Sequence, residues 1–443
     1  MARHTHAAKL IAVAMIATGA AAAPARGQQI GQEALNYLGT YAFADSQHTW
    51  DQATEFSADT VLDHTREGYL PMGYVLPGGH IFYPSIKASS TYDDNLFLTP
   101  DDIKAWDIRS SIAPSFDFQA ALPRNMFQVH GDAEIVEFKE HPDLNFVNAN
   151  LKADWRIDID AADTIGGTFQ SRIGHDDKFL PIEPDNPSAA IPILSTRAAV
   201  GYAHDAGRTS VAAGADWERN TYLDVPSYSG GTIDETTNDN IIVGGFGVLT
   251  YRWSPGYKMF AAGRIDRELL TNPAAAYADN NSYRAEAGLI YELDPLLKFT
   301  LSAGYQYIKF DNPSQYNTGA PVVKASVQWL PTRRMTVNFD VSQSIIRTLN
   351  GPDFGEVNDQ VHGRIVYDIW HNITGSLDGS FENDQYIGSS RVDQQWSTTA
   401  GIDYLLNENL ALTLSYQHTQ RASNESQFDY SDNRYMLSLK LSK

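Results

Sequence analysis

The sequence predicts an all-β protein, a single closed antiparallel transmembrane β-barrel of about 18 strands, with 16 as the alternative. Two observations predict it. Segments of roughly 10 to 14 residues alternate apolar and polar side chains, and the connections between them alternate between short and long. Successive side chains of a strand point to opposite faces, so such segments direct apolar residues to lipid and polar residues to the lumen.

The alternation is clearest in residues 148–159, where even positions such as Lys152 and Asp154 are polar and odd positions such as Leu151 and Trp155 are apolar. It recurs in 361–369 and in 410–419. A soluble β-sandwich also alternates, so the connections must distinguish the two classes.

The connections favour the barrel. Tight turns are predicted at 122–124, 205–207, 254–256, 293–295, 330–332, 370–372 and 406–408. Longer polar stretches lie between them, at 93–106, 175–192, 223–239, 271–281, 312–319, 349–358 and 422–432. Outer-membrane barrels have short periplasmic turns and long extracellular loops, and an even strand number places both ends of the barrel on the periplasmic side.

The first 27 residues predict a signal peptide, because Arg3 and Lys9 precede an apolar run at 10–23 that is too short to span a membrane. Residues 28–79 are acidic and lack strand alternation. We expect them to form a periplasmic N-terminal extension, partly disordered or entering the lumen. Residues 80–443 are predicted to be the barrel, in the outer membrane of a Gram-negative bacterium.

The predicted inner wall mixes both signs of charge although the net charge is −21. Mixed signs suit neutral or zwitterionic cargo better than strong ion selectivity. Inward phenylalanines either offer aromatic faces to a saccharide or pack against other parts of the chain. The candidate lumen residues are Arg109, Arg156, Arg172, Arg264, Arg284, Arg364, Phe246, Phe260 and Phe310.

The stretch 175–192 is rich in proline and contains Asp176, Asp177, Glu183 and Asp185. Proline stiffens a loop. Folded into the lumen, this loop would be a constriction; the alternative is an exposed surface loop.

Nothing in the chain predicts catalysis. The 12 histidines are scattered, cysteine is absent, and no phosphate loop, paired-histidine zinc motif or calcium loop is found. We therefore predict a protein that is not an enzyme and has no cofactor, no metal site and no catalytic residues. No basic patch indicates nucleic acid as a partner.

The segments 61–73, 80–85 and 91–97 resemble the start of the barrel in a bacterial outer-membrane family, the second putative beta-barrel porin family. The best match is the motif Tyr92, Asp93, Asp94 and Asn95 with the apolar residues that follow it. The resemblance implies a barrel associated with export of exopolysaccharide or capsule. It also implies saccharide cargo and periplasmic polysaccharide-export proteins as partners, besides the outer-membrane lipid.

Three functions fit the sequence. The first hypothesis is a channel that exports exopolysaccharide across the outer membrane. The alternatives are a general or saccharide diffusion porin for small solutes, and a plugged structural barrel whose lumen is blocked by the N-terminal extension.

Overall fold

The computed structural model describes residues 71–175, 187–272, 279–294, 296–313, 315–347 and 355–443. It confirms a closed antiparallel barrel of 18 strands. The strands are β1 (Ile81–Asp93), β2 (Asp107–Gln119), β3 (Asn125–Phe138), β4 (Phe146–Asp158), β5 (Asp163–His175), β6 (Pro192–Asp205), β7 (Thr209–Tyr222), β8 (Asn240–Ser254), β9 (Tyr257–Leu270), β10 (Asn280–Asp294), β11 (Leu297–Phe310), β12 (Thr318–Thr332), β13 (Met335–Arg347), β14 (Gly355–Trp370), β15 (Ile373–Ile387), β16 (Val392–Asn407), β17 (Leu410–Ser423) and β18 (Tyr430–Ser442).

The barrel closes between its first and last strands. β1 pairs with β18 in a ladder that runs from Ser85 opposite Ser442 to Asp93 opposite Arg434. Below this ladder a two-residue strand, Tyr74–Val75, pairs with the start of β1. Closure leaves no long strand with an unpaired edge, which is what a sheet in hydrocarbon requires.

The short and long connections alternate as predicted, with local differences. A turn at 159–162 and connections at 139–145 and 388–391 were missed. The turn predicted at 330–332 lies at 333–334 instead, because β12 continues past Pro331. Proline has no N–H to donate, and the chain tolerates it there because the pairing with β13 is irregular between Trp329 and Thr332.

The outer face carries large, exposed apolar side chains. Ile265, for example, is 58% exposed. Aromatic rings cluster at the periplasmic ends of the strands, where Trp253 stacks on Tyr257 at 5.7 Å and Tyr257 meets Tyr291 at 5.0 Å between ring centroids. An apolar belt bordered by aromatic rings is the surface that a lipid bilayer covers. In the described part of the chain, no helix is long and apolar enough to cross a membrane.

Candidate channel lumen

Arg264 on the inner face of β9 is the centre of a buried charge cluster. Its two terminal nitrogens donate to both oxygens of Asp216 on β7, at 2.8 and 2.9 Å, and its Nε donates to Asp266 at 2.9 Å. All three residues are at most 5% exposed. A bidentate pair between buried groups fixes the guanidinium and balances most of the carboxylate charge.

The pair spans a strand. β8 lies between β7 and β9, and Gly244 of β8 is directly opposite both Asp216 and Asp266. A Cβ added at Gly244 would come within 2.6 Å of Arg264 Nη2 and 2.8 Å of Asp216 Oδ2, and it would also collide with Asp266. The glycine therefore provides the space through which Arg264 reaches Asp216.

Nearer the extracellular end, a ladder of amides and carboxylates crosses four strands from β7 to β10. Asn220 donates to Glu218 at 2.9 Å and to Asn240 at 3.0 Å. Asn240 and Asn280 in turn donate to the two oxygens of Glu268, at 2.9 and 2.8 Å. Because every member is buried and bonded, this ladder stiffens the wall and offers few free donors to a solute.

The other predicted arginines also lie on the inner face, most of them next to acids. Arg156 is 3.1 Å from Asp158 and Arg284 is 3.7 Å from Glu286. Arg172 interacts electrostatically with Asp132. Arg109 and Arg364 take the same face of β2 and β14 by their position in the alternation. The six arginines lie on six different strands. Arg264 and Arg284 are directly opposite each other on β9 and β10, and the other four lie elsewhere around the wall.

The three predicted lumen phenylalanines are inward but covered. Phe246 and Phe260 are each 7% exposed and pack with Ala199, Val248 and Ala262. Each ring lies over a glycine: a Cβ at Gly214 would be 2.6 Å from Phe246, and one at Gly288 would be 2.6 Å from Phe260. Phe310 belongs to a separate cluster with Ile308, Ala320 and Ile345. The rings fill the wall and expose no aromatic face to cargo.

Strands β16, β17, β1 and β2 carry a set of uncharged polar side chains on their inner face, which we call the hydroxyl wall and which lies beside charged residues such as Arg109. Its residues bond to one another, for example Ser85 to Ser115 at 2.6 Å and Ser89 to Ser111 at 2.8 Å. Gln417 donates to Ser397 at 3.2 Å. The members are Ser85, Ser89, Ser111, Ser115, Ser397, Gln417 and Thr419. Lys87 and Lys440, which are directly opposite each other in the register of β1 and β18, lie on the same inner face.

Three connections pack together at the extracellular mouth. Leu96 and Phe97 from the β1–β2 loop join Leu144 from the β3–β4 connection and Ala190, just before β6, over inward side chains of β3 and β4. Phe97 meets His141 edge to face at 5.2 Å between ring centroids. An apolar cluster of this kind narrows the mouth above β1 to β5.

Asp107, at the first position of β2, anchors the β3–β4 connection. It is fully buried, and its carboxylate accepts the backbone N–H groups of Lys139, Glu140 and His141, each at 3.0 Å. Its Oδ2 also lies 2.8 Å from His141 Nδ1. Sequence analysis missed this residue because a single aspartate before a strand carries no distinguishing pattern.

The motif Tyr92, Asp93, Asp94 and Asn95 organises the β1–β2 loop. Asn95 is fully buried; its Nδ2 donates to the carbonyls of Thr99 at 2.7 Å and Ser431 at 2.8 Å, and its Oδ1 accepts the Thr99 N–H at 3.0 Å. These bonds span Leu98, whose φ of +49° is unusual for a residue with a Cβ. The motif therefore turns the chain inward so that Leu96 and Phe97 enter the mouth.

The acidic β7–β8 loop is fastened by its last residue. Asp239 accepts the Tyr222 backbone N–H at 2.7 Å, closing the base of the loop. Burial raises the pKa of the Asp239 carboxyl, and the nearby Asp234 and Asp224 add to the rise.

The histidines His362 and His418 contact carboxylate or amide groups of neighbouring strands. His362 on the inner face lies 3.0 Å from Asp378 and 3.7 Å from Asp340, and His418 contacts Asn433 at 3.0 Å. The predicted constriction residues Asp176, Asp177, Glu183 and Asp185 lie outside the described residues, as do the predicted signal peptide and most of the extension.

A closed 18-stranded barrel with an apolar outer belt and a polar inner wall is an outer-membrane channel of the porin class. Comparison with protein families places the chain more closely. The family model described as putative beta-barrel porin 2 matches residues 67–443, and the chain belongs to that family.

Solved outer-membrane channels are similar in fold. Pseudomonas aeruginosa OccK3 (OpdO) is 13% identical, with 82% of this chain and 96% of that chain covered and a TM-score of 0.45. P. aeruginosa OccK2 (OpdF), crystallised with glucuronate, is 10% identical over 82% and 98%, with a TM-score of 0.46. Acinetobacter baumannii OccAB4 is 12% identical over 83% and 100%, with a TM-score of 0.42. No curated protein matches the chain.

Proposed function

We propose that this barrel carries exopolysaccharide outward across the outer membrane. The observation that carries the proposal is the chemistry of the inner wall, where arginines such as Arg264 and Arg197 are engaged by carboxylates and the hydroxyl wall offers uncharged hydroxyl and amide groups. A saccharide polymer presents hydroxyl groups in every unit and needs many weak hydrogen-bonding partners along its path.

The paired charges support an uncharged or weakly charged cargo. Arg264 is held by Asp216 and Asp266, and Arg197 lies 3.3 Å from Glu218. Groups engaged with each other in this way exert little field on a passing ion, and a weak field favours weak ion selectivity.

The weak contacts of the hydroxyl wall support movement of a polymer. Serine and threonine hydroxyls rotate and both donate and accept, so each can exchange a partner within the wall for a sugar hydroxyl or water. Conduction requires binding that is weak enough to release the cargo. Phe246 and Phe260 are buried, so their aromatic faces do not bind a sugar ring, which would hold the cargo more tightly than hydroxyl groups do.

We further propose that residues 1–27 are a signal peptide and that residues 28–79 contact periplasmic polysaccharide-export proteins. The pairing of Tyr74–Val75 with the periplasmic start of β1 supports this proposal. The runner-up function is a diffusion porin for small solutes, which the porin class of the family favours.

Single-channel current in planar bilayers tests the proposal, with the full chain compared with a variant lacking residues 28–79. We expect low conductance from the full chain, higher conductance after truncation, and current interruptions when a neutral dextran oligosaccharide is added. Adding the 28–79 peptide back to the periplasmic side should lower the conductance again. High conductance from the full chain, unchanged by truncation, would identify a diffusion porin. Conductance that appears after truncation but is not interrupted by the sugar would identify a structural barrel plugged by the extension.

A further inference from the structure

We propose that the extracellular end of the seam between β1 and β18 binds a divalent cation, Ca²⁺, through the carboxylates of Asp93, Asp94 and Asp432. This site is separate from the wall assigned to cargo. It would join the first and last strands of the barrel where the ladder between them ends.

The three carboxylates come from both sides of the seam. Asp93 ends β1, Asp94 follows it, and Asp432 lies on β18 two residues before Arg434, the register partner of Asp93. One oxygen from each carboxylate lies within 4.8 Å of one from each of the others. Oxygens at this separation can coordinate one ion of the size of Ca²⁺.

One carboxylate oxygen of Asp432 is buried and has no hydrogen-bond donor in the part of the chain that the structure describes. The Asp432 side chain is 3% exposed, and its Oδ1 accepts no hydrogen bond from any described residue. Its other oxygen lies 2.8 Å from Arg434 Nε. Burying an ionised carboxylate oxygen without a partner is costly, so this atom indicates a missing positive group.

Arg434 alone does not balance the cluster. The same Nε lies 3.0 Å from Asp93 Oδ2, so one guanidinium faces two buried carboxylates, and Asp94 adds a third negative charge. Lys104, the next cation at this rim, is engaged elsewhere, 2.7 Å from Ser431 Oγ and 3.0 Å from Asp101. A divalent cation would offset the remaining negative charge.

The other hydrogen bonds of Asp93 and Asp94 orient the carboxylates and leave lone pairs on their oxygens for a cation. Asp93 Oδ1 accepts the Asn95 N–H at 2.9 Å, and the two oxygens of Asp94 accept the backbone N–H and the side-chain amide of Asn433, each at 2.7 Å. A carboxylate oxygen has two lone pairs, so each can still bind a cation. Asp94 is only partly buried, which lets water complete the coordination sphere.

Ca²⁺ fits better than Mg²⁺ because it accepts irregular sets of six to eight oxygens, whereas Mg²⁺ demands a regular octahedron. A bound cation would affect the stability of the seam between β1 and β18, where the barrel closes. The β1–β18 ladder covers nine residue pairs, against 12 for β17–β18 and 13 for β1–β2. A cation held by both strands would reinforce this shorter ladder at its exposed end.

Thermal unfolding of the full chain in detergent tests the site. After treatment with EDTA, CaCl₂ should raise the Tm in a saturable manner. Asp432→Asn should weaken this response at least about tenfold. Asp102→Asn, which removes an exposed acid of the same loop, should keep the wild-type response.

Binding is measured independently of variant folding. Mn²⁺ added to the wild-type chain should give a bound electron-paramagnetic-resonance signal that Ca²⁺ displaces. If Asp432→Asn does not fold, Asp94→Asn should weaken Mn²⁺ binding at least about tenfold. No Tm response together with no bound Mn²⁺ would overturn the site, as would wild-type affinity in the variant that folds. A Tm raised by Asp432→Asn in a chain indifferent to CaCl₂ would show that the carboxylates share a proton instead.

Discussion

Arg264 on β9 and Asp216 on β7 form a bidentate ion pair across the intervening strand β8, at 2.8 and 2.9 Å. The pair ties three strands together on the lumen side, and it exists because Gly244 has no side chain to fill the path. Charge balance in the lumen thus depends on a glycine as well as on the charged residues.

Gly244→Ala is expected to destabilise the barrel by about 1–3 kcal/mol, because the added methyl group forces the buried side chains apart. Urea unfolding in detergent or lipid measures the change. The matched control is Gly247→Ala on the same strand, where the nearest atom to an added Cβ is 4.0 Å away. Equal stability of the two variants would contradict the role given to Gly244.

Arg264→Met is expected to cost about 3–5 kcal/mol, since Asp216 and Asp266 remain buried without their cation. The extra negative charge should also shift the reversal potential in a KCl gradient toward cation selectivity. Arg333→Met, in an exposed turn, should change stability by no more than about 0.5 kcal/mol. An unchanged ion selectivity in Arg264→Met would show that this cluster does not determine the electrostatic potential that ions meet in the lumen.

Phe246→Ala and Phe260→Ala are expected to lower the free energy of unfolding by about 3–5 kcal/mol each while leaving the block of current by oligosaccharide unchanged. The rings are buried in the wall and contact no passing solute. Single-channel recording in the presence of the sugar provides the measurement. A variant that folds but loses the block would instead make these rings part of the sugar path.

Asn95→Ala should free the β1–β2 loop and widen the extracellular mouth. The substitution leaves the carbonyls of Thr99 and Ser431 without their donor, and each buried group left unsatisfied costs about 1–3 kcal/mol. We expect a higher and noisier single-channel conductance, and faster proteolysis within residues 94–106. Asn312→Ala, at an exposed site in another loop, should keep the wild-type values. A quiet, unchanged channel in Asn95→Ala would contradict the anchoring role.

The barrel was predictable because alternation has a period of two and repeats along the chain. A position such as Arg264 faces the lumen by its place in β9, which the pattern alone determines. Loop and turn bounds were less accurate where a residue type occurs both in turns and in strands. Pro331 suggests a turn in the sequence, but it lies within β12, where the pairing with β13 is irregular.

Partnerships across the lumen were not predictable from the sequence. Whether Arg264 meets Asp216 depends on the register of β7, β8 and β9, and residues 48 positions apart carry no local signal of it. The same holds for Asp107 and the β3–β4 connection. For Asp93, Asp94 and Asp432, only closure of the barrel joins the two ends of the chain.

Whether the lumen conducts saccharide is measured by the current through the barrel lacking residues 28–79 during titration with a neutral dextran oligosaccharide. We expect weak ion selectivity and brief, concentration-dependent interruptions of the current. We also expect that Ser397→Ala with Gln417→Ala, which removes amide and hydroxyl partners of the hydroxyl wall, shortens these interruptions. Strong selectivity for one sign of ion together with no sugar block would contradict a lumen that conducts saccharide.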